Sequence, residues 1–186
     1  MKSAVRESAG LVVNELSRAN ADIDWAPWEE LPGLITSASA IFAIGNGRSG
    51  LALRMAAMRF MHLGKVVHVV GETTTPAIRA GHLLLAVSGS GKTDTVVRAA
   101  KIAAESGADV AAITASAESP LARAADHTLL IPAAEKTDRS GAKSGQYAGA
   151  LFEQMTLVLL DAVFHTLWLD SGASADQMYQ RHANLG

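Results

Sequence analysis

Five short apolar runs recur along the chain, at 40–44, 66–70, 83–87, 110–114 and 127–131, and each is nearly continuous rather than alternating. A strand that is apolar on both faces has to be covered on both faces, which is the setting of a parallel sheet between two helical layers. The intervening stretches agree. Residues 49–62, 93–106 and 119–124 read as helices, and 71–80 reads as a turn-rich connection. The pattern predicts an α/β fold: a doubly wound, five-stranded parallel sheet flanked by helices in a flavodoxin-like three-layer sandwich. Ligands of such sheets bind beyond the carboxyl ends of the strands, near the point where the strand order reverses.

With 186 residues, the chain suits a single domain with a core of its own. Ahead of the first strand, Val5, Ala9, Val12, Leu16 and Ala19 fall at helical spacing and predict an amphipathic helix packed on the core or on a second subunit. Residues 25–32 read as a Trp- and Pro-containing connector within an N-terminal helical segment of about 1–38. A C-terminal helical tail is expected from about residue 170 to 186. Residues 150–169 are long enough to cross a bilayer, but Glu153, Gln154, Asp161 and His165 would be costly in lipid, so a buried or subunit-interface helix is expected. The balance of 16 basic and 18 acidic residues provides no field that favours nucleic acid or an anionic membrane. With no cysteine, the chain has neither disulfides nor a thiolate nucleophile or metal ligand. The first twenty residues lack the apolar core of a signal peptide, which predicts a cytoplasmic protein.

Two glycine-rich turns each follow an apolar run. Residues 83–94, LLLAVSGSGKTD, look like a nucleoside-triphosphate loop, yet the first glycine of that pattern falls on Ala86 and no apolar run ends in an acid suited to hold magnesium. The remaining SGSGKT still supplies hydroxyls at Ser88, Ser90 and Thr93 and flexible backbone at Gly89 and Gly91, just before a helix N-terminus. That arrangement suits a monophosphate without a metal. The earlier turn, Gly45 to Gly50, matches G-x-G-x-x-G with Glu72 at a plausible ribose distance, so the glycines alone leave a dinucleotide open. Arg48 and Ser49 within it are equally able to bind an anion or sugar hydroxyls.

Taken together, GNGRSG, MRFMHLG at 58–64, VVGETTTPAI at 69–78, AVSGSGKT, SPLARAAD at 119–126, LFE at 151–153 and RHANL at 181–185 resemble the 6-phospho-3-hexuloisomerase branch of the sugar isomerase (SIS) domain superfamily. The resemblance covers essentially the whole chain, and the GETTTP and RHAN blocks are its most specific parts. It implies an isomerase interconverting 3-hexulose 6-phosphate and fructose 6-phosphate, after the aldol condensation of formaldehyde with ribulose 5-phosphate, and a homotetramer with sites at subunit boundaries. It also implies no essential role for Lys92, where the family often carries an acid.

Moving a carbonyl between adjacent carbons requires removal of a carbon-bound proton, an enediol or enediolate, and reprotonation at the neighbouring carbon. No cofactor or metal is needed. A carboxylate is suited to that proton shuttle when its surroundings bring its proton affinity toward neutrality. Glu153, in the LFE block, is the expected base, and a first-turn acid serving only its helix dipole is the bland alternative. His62 and His182 are the secondary catalytic candidates. His62 lies on a helix running away from Arg48, so it serves chemistry most easily at a neighbouring subunit's site. Asn46, Gly47, Arg48 and Ser49 are expected to contact substrate, and Ser88, Gly89, Ser90, Gly91 and Thr93 to cradle its phosphate. Residues 73–76 either line the same pocket or form a Pro-fixed turn. His68, His82, His127 and His165 show no metal-ligand spacing. Two other readings stay open: an isomerase of a different sugar phosphate, and a non-catalytic sugar-phosphate-binding module.

Overall fold

The computed structural model describes residues 4–134, 138, 143–147 and 149–185. Residues 135–137 and 139–142, most of the polar stretch before the LFE block, lie outside the described residues. The elements run in the order α1 (Ala4–Ala21), α2 (Trp25–Ser37), β1 (Ala40–Gly45), α3 (Gly47–His62), β2 (Val67–Val69), β3 (His82–Val87), α4 (Asp94–Glu105), β4 (Asp109–Thr114), α5 (Pro120–Arg123), β5 (His127–Leu130), α6 (Ala150–Ser171) and α7 (Ala175–Tyr179). The five strands form one sheet in the order β2-β1-β3-β4-β5. All four neighbouring pairs are parallel. The order reverses between β1 and β3, where Gly45 pairs with Val87, so both glycine turns leave the sheet side by side.

The two sheet faces sort by alternate residues. Ile41, Ala43, Leu83, Leu85, Val87, Ala111 and Ile113 face a core shared with α2, α3 and α6. Phe42, Ile44, Leu84, Ala86, Val110 and Ala112 face the smaller core under α4 and α5. The central strands β1, β3 and β4 are almost wholly apolar because both of their faces are interior, whereas the edge strands β2 and β5 are only partly buried and carry His68, His127 and Thr128.

Residues 25–32 are a correction: they form the first two turns of α2. Asp24 caps this helix by accepting from the Ala26 amide, and Pro27 lies in the first turn, where its missing N–H removes no helical bond. Pro32 does remove one, but Trp28, Leu31 and Ile35 are buried on the same face and offset the loss. The stripe on α1 is only half used. Val5 is 83% exposed, and the helix engages the domain through Leu16, Ala19 and, unexpectedly, Glu15.

Helix α6 is long and apolar enough to span a bilayer, but it buries Leu151, Phe152, Met155, Leu159, Leu160 and Val163 against the other helices of its layer. It packs most extensively against α3.

Candidate active site

The GNGRSG turn brings α3 into contact with the end of β1. A β-carbon on Gly50 would overlap the Gly45 carbonyl, so this third glycine is required by the helix–strand approach rather than by turn flexibility. Asn46 is the N-cap residue of α3, but its side-chain amide donates to Thr95 Oγ1 at 2.9 Å, tying this turn to the start of α4. Glu72 pairs with Arg54 at 2.9 Å on the flank of α3.

The second turn is braced from beneath. The Ser88 amide donates to the Ile113 carbonyl at 3.0 Å, the Ala115 amide to the Gly89 carbonyl at 3.0 Å, and the Leu121 amide to the Gly91 carbonyl at 3.0 Å. Gly91 has φ +60°, and a β-carbon there would collide with the Ser119 side chain. The SPLARAAD block thereby has a physical role: Ser119 caps α5, and α5 supports the glycine turn. The Ser88 and Thr93 hydroxyls are 2.9 Å apart.

Among the described residues, α2, α5 and α7 have their first amides capped by Asp24, Ser119 and Ser174. The N-termini of α3, α4 and α6 have no such side-chain cap. These three helix starts converge at the sheet's switch point and present donors and positive dipole ends suited to an anion.

Glu153 lies in the first turn of α6 with 5% of its surface exposed, and the Arg48 Nε donates to its Oε2 at 2.5 Å. The Arg48 side chain is 66% exposed, so a buried carboxylate meets a solvent-facing cation. One residue earlier, the Phe152 ring lies against Gly89, where a β-carbon would crowd it at 3.1 Å. The carboxylate-bearing helix and the glycine turn are thus packed together. The structure therefore gathers Asn46, Gly47, Arg48, Ser49, Ser88, Gly89, Ser90, Gly91, Thr93 and Glu153 at one end of the sheet.

His62 and His182 are brought together elsewhere. His62 ends α3, about 20 Å along the helix axis from Arg48. Its ring stacks on His182 with centroids 3.9 Å apart, and Arg181 donates to its carbonyl oxygen at 3.0 Å. Although Leu51, Met55 and Met58 on the same helix row are exposed, His62 is buried because the C-terminal tail covers it. Burial, followed by the nearby His182 and Arg59, lowers its affinity for protons, and its Nδ1 is buried without a hydrogen-bond partner. Thr75 directs its hydroxyl to the Val69 carbonyl at 2.7 Å and so closes the turn at 72–75.

The spacing did not reveal Glu15, 3% exposed on α1, which accepts from Ser144, Gly145 and Gln146. An acid set beside the Leu16 and Ala19 stripe was the available signal.

The chain is 48% identical over 181 residues to a 3-hexulose-6-phosphate isomerase of Mycobacterium gastri, covering 97% of this chain and 91% of that protein. It is 38% identical to the 3-hexulose-6-phosphate isomerase of Bacillus subtilis, covering 94% and 95%. A Methanococcus jannaschii crystal structure, inferred to have the function of 3-hexulose-6-phosphate isomerase, superposes with a TM-score of 0.82 at 31% identity, covering 97% of this chain and 99% of that one. The SIS domain model matches residues 34–164, a span containing every strand, both glycine turns and Glu153; the chain belongs to the SIS domain family.

Proposed function

We propose that the protein is a 3-hexulose-6-phosphate isomerase that interconverts 3-hexulose 6-phosphate and fructose 6-phosphate. The observation that carries this reading is the buried Glu153 carboxylate held by Arg48 beside the SGSG turn, in a chain 48% identical to an isomerase of that name. In the direction of fructose 6-phosphate, a base removes the proton from C2, the electron pair forms the C2–C3 enediolate, and protonation at C3 leaves the carbonyl at C2. Glu153 takes the C2 proton and returns one at C3. Ser88, Gly89, Ser90, Gly91 and Thr93 hold the phosphate with backbone and hydroxyl donors. Arg48, with Asn46, Gly47 and Ser49, contacts the sugar and the developing negative charge on oxygen.

The length of α3 separates His62 and His182 from the Arg48 end, which supports their acting in a neighbouring copy's site, on the carbonyl oxygen or in ring opening. The exposed row of Leu51, Met55 and Met58 on α3 supports contact between copies, and we assign a homotetramer. This reaction follows the joining of formaldehyde to ribulose 5-phosphate, within the cytoplasm, where such sugar phosphates are made and used.

The test is Glu153→Gln, assayed with 3-hexulose 6-phosphate beside pentose and heptose phosphates. Glutamine keeps an oxygen for Arg48 while removing the base, so turnover falls by about 10²–10⁴ with KM little changed. Unchanged turnover refutes the assignment of the base, and preference for another sugar phosphate refutes the substrate.

A further inference from the structure

The one nearly fully buried carboxylate besides Glu153 among the described residues is Glu15, and all of its strong hydrogen bonds reach a segment far away in the chain. Ser144 Oγ donates to it at 2.7 Å, the Gly145 amide at 2.7 Å and Gln146 Nε2 at 2.9 Å. Arg18 approaches no nearer than 4.0 Å. Burial alone would raise the proton affinity of Glu15, but these three donors, with a smaller contribution from the Arg18 charge, outweigh it and hold the group below its ordinary value, as a carboxylate. If this position on α1 served packing alone, an apolar side chain would fit without desolvating a charge.

The hydrogen bonds continue past Glu15. The side-chain amide of Gln146 pairs reciprocally with that of Gln154, at 3.1 Å in one direction and 2.9 Å in the other. Such a pair fixes both amides in one orientation. Gln154 immediately follows Glu153 in the first turns of α6, and Phe152 immediately precedes it. The start of α6 is therefore held at the two residues that flank Glu153: Phe152 against Gly89, and Gln154 through Gln146 to Glu15. A helix turn is stiff, so these two attachments set the rotation of α6 about its axis and thus the direction of the side chain between them.

We propose that Glu15 is a positioning residue for the isomerase reaction: acting through Gln146 and Gln154, it holds the first turns of α6 so that Glu153 meets the substrate carbon. The proposal rests on Glu153 being the base. Glu15 itself touches no substrate. Its contribution is made in the step of proton transfer and not in phosphate binding, because the glycine turn that takes the phosphate is braced separately by β4 and α5.

The experiment uses the full-length protein with Glu15→Gln, Gln146→Ala and both together, each assayed on 3-hexulose 6-phosphate well below its melting temperature and normalised to folded protein. Each single variant is expected to lower kcat about tenfold, within the roughly hundredfold loss that a 1 Å misplacement produces, with KM changed by less than about twofold. Because both act through one connection, the double variant is expected to lose no more than the worse single variant. Unchanged kcat in Glu15→Gln, a loss that disappears on normalisation, or fully multiplicative losses in the double variant each overturn the proposal. If Glu15→Gln does not fold, Gln146→Ala decides the matter alone, and unchanged kcat there overturns it. Glu153→Gln run in parallel separates the two readings: if it turns over normally, the assignment of the base has failed, whereas a dead Glu153→Gln beside a normal Glu15→Gln removes only the positioning role.

Discussion

Replacing Gly91 with alanine tests whether the SGSG turn, proposed to hold the phosphate, is shaped by α5. At φ +60° an L-residue carries a cost of about 1–2 kcal/mol that glycine does not. The added β-carbon also lands on Ser119 and comes within 3.0 Å of Thr114 Oγ1. Ser119 cannot simply rotate away, because both its Cβ and its Oγ obstruct, and its Oγ caps α5 by accepting from the Ala122 amide at 3.2 Å. Losing that cap costs about 1 kcal/mol. The sum, about 2–3 kcal/mol, lowers the melting temperature by roughly 4–12 °C in a domain of this size. The surviving turn is displaced from α5, so its donors no longer converge and KM for the sugar phosphate rises, while kcat at saturation falls much less than in Glu153→Gln. Thermal denaturation and steady-state kinetics on Gly91→Ala, Ser119→Gly and the double variant form a cycle. Ser119→Gly alone costs only a few tenths of a kcal/mol. Combined with Gly91→Ala, it removes the collision but leaves the backbone strain, so the double variant is expected to be more stable than Gly91→Ala alone. A Gly91→Ala protein with wild-type stability and KM, or strictly additive losses in the cycle, would refute the account of the brace.

Other outcomes follow from the same structure. Lys92 is exposed, so Lys92→Ala is expected to keep kcat/KM within about twofold, and magnesium with ATP should give no hydrolysis; a large loss or robust hydrolysis would restore a triphosphate role to the turn. Burial, followed by Arg79 and His68, holds His82 below its ordinary value of 6.5, and burial does the same to His62. Each depressed value favours the neutral ring in the folded state, so their contribution is fully present above pH 6.5 and is lost as pH falls toward the folded values. Urea midpoints should therefore decline below that pH, and less steeply in His82→Asn, which keeps an acceptor for the Arg79 amide; an equal slope in the variant refutes the attribution. Glu15 acts in a lower window. Its stabilisation is present above 4.5 and lost as pH falls through its depressed folded value, and Glu15→Gln should remove that acid-side decline.

The strands were legible in the sequence because a doubly covered parallel strand such as β1, β3 or β4 records its burial in composition alone, the shorter edge strands followed from the repeat, and boundaries shifted by only a residue or so. Helix α2 was not, since two prolines resemble a connector until the burial of Trp28, Leu31 and Ile35 shows what they are balanced against. At the site, strand-to-helix junctions located both glycine turns, whereas Glu153 stood out only through the resemblance of its LFE block. What spacing does not encode is the meeting of remote segments. Glu15 reads as a surface acid because its three partners lie about 130 positions later, and the stacking of His62 on His182 joins residues separated by most of the chain. The SPLARAAD block was recognisable as a pattern, but its purpose emerged only when Leu121 was seen holding Gly91.

The sheet ends in two short strands, the three-residue β2 on one side and the four-residue β5 on the other. A border this brief offers few unpaired backbone groups to a second chain, which protects against edge-to-edge polymerisation. In the proposed homotetramer, recognition between copies is thereby left to side chains on the helical faces. Association in that proposed assembly is consequently governed by which helix residues are apolar, and a single charged substitution at the exposed Met55 or Met58 has leverage over it that no backbone ladder would allow.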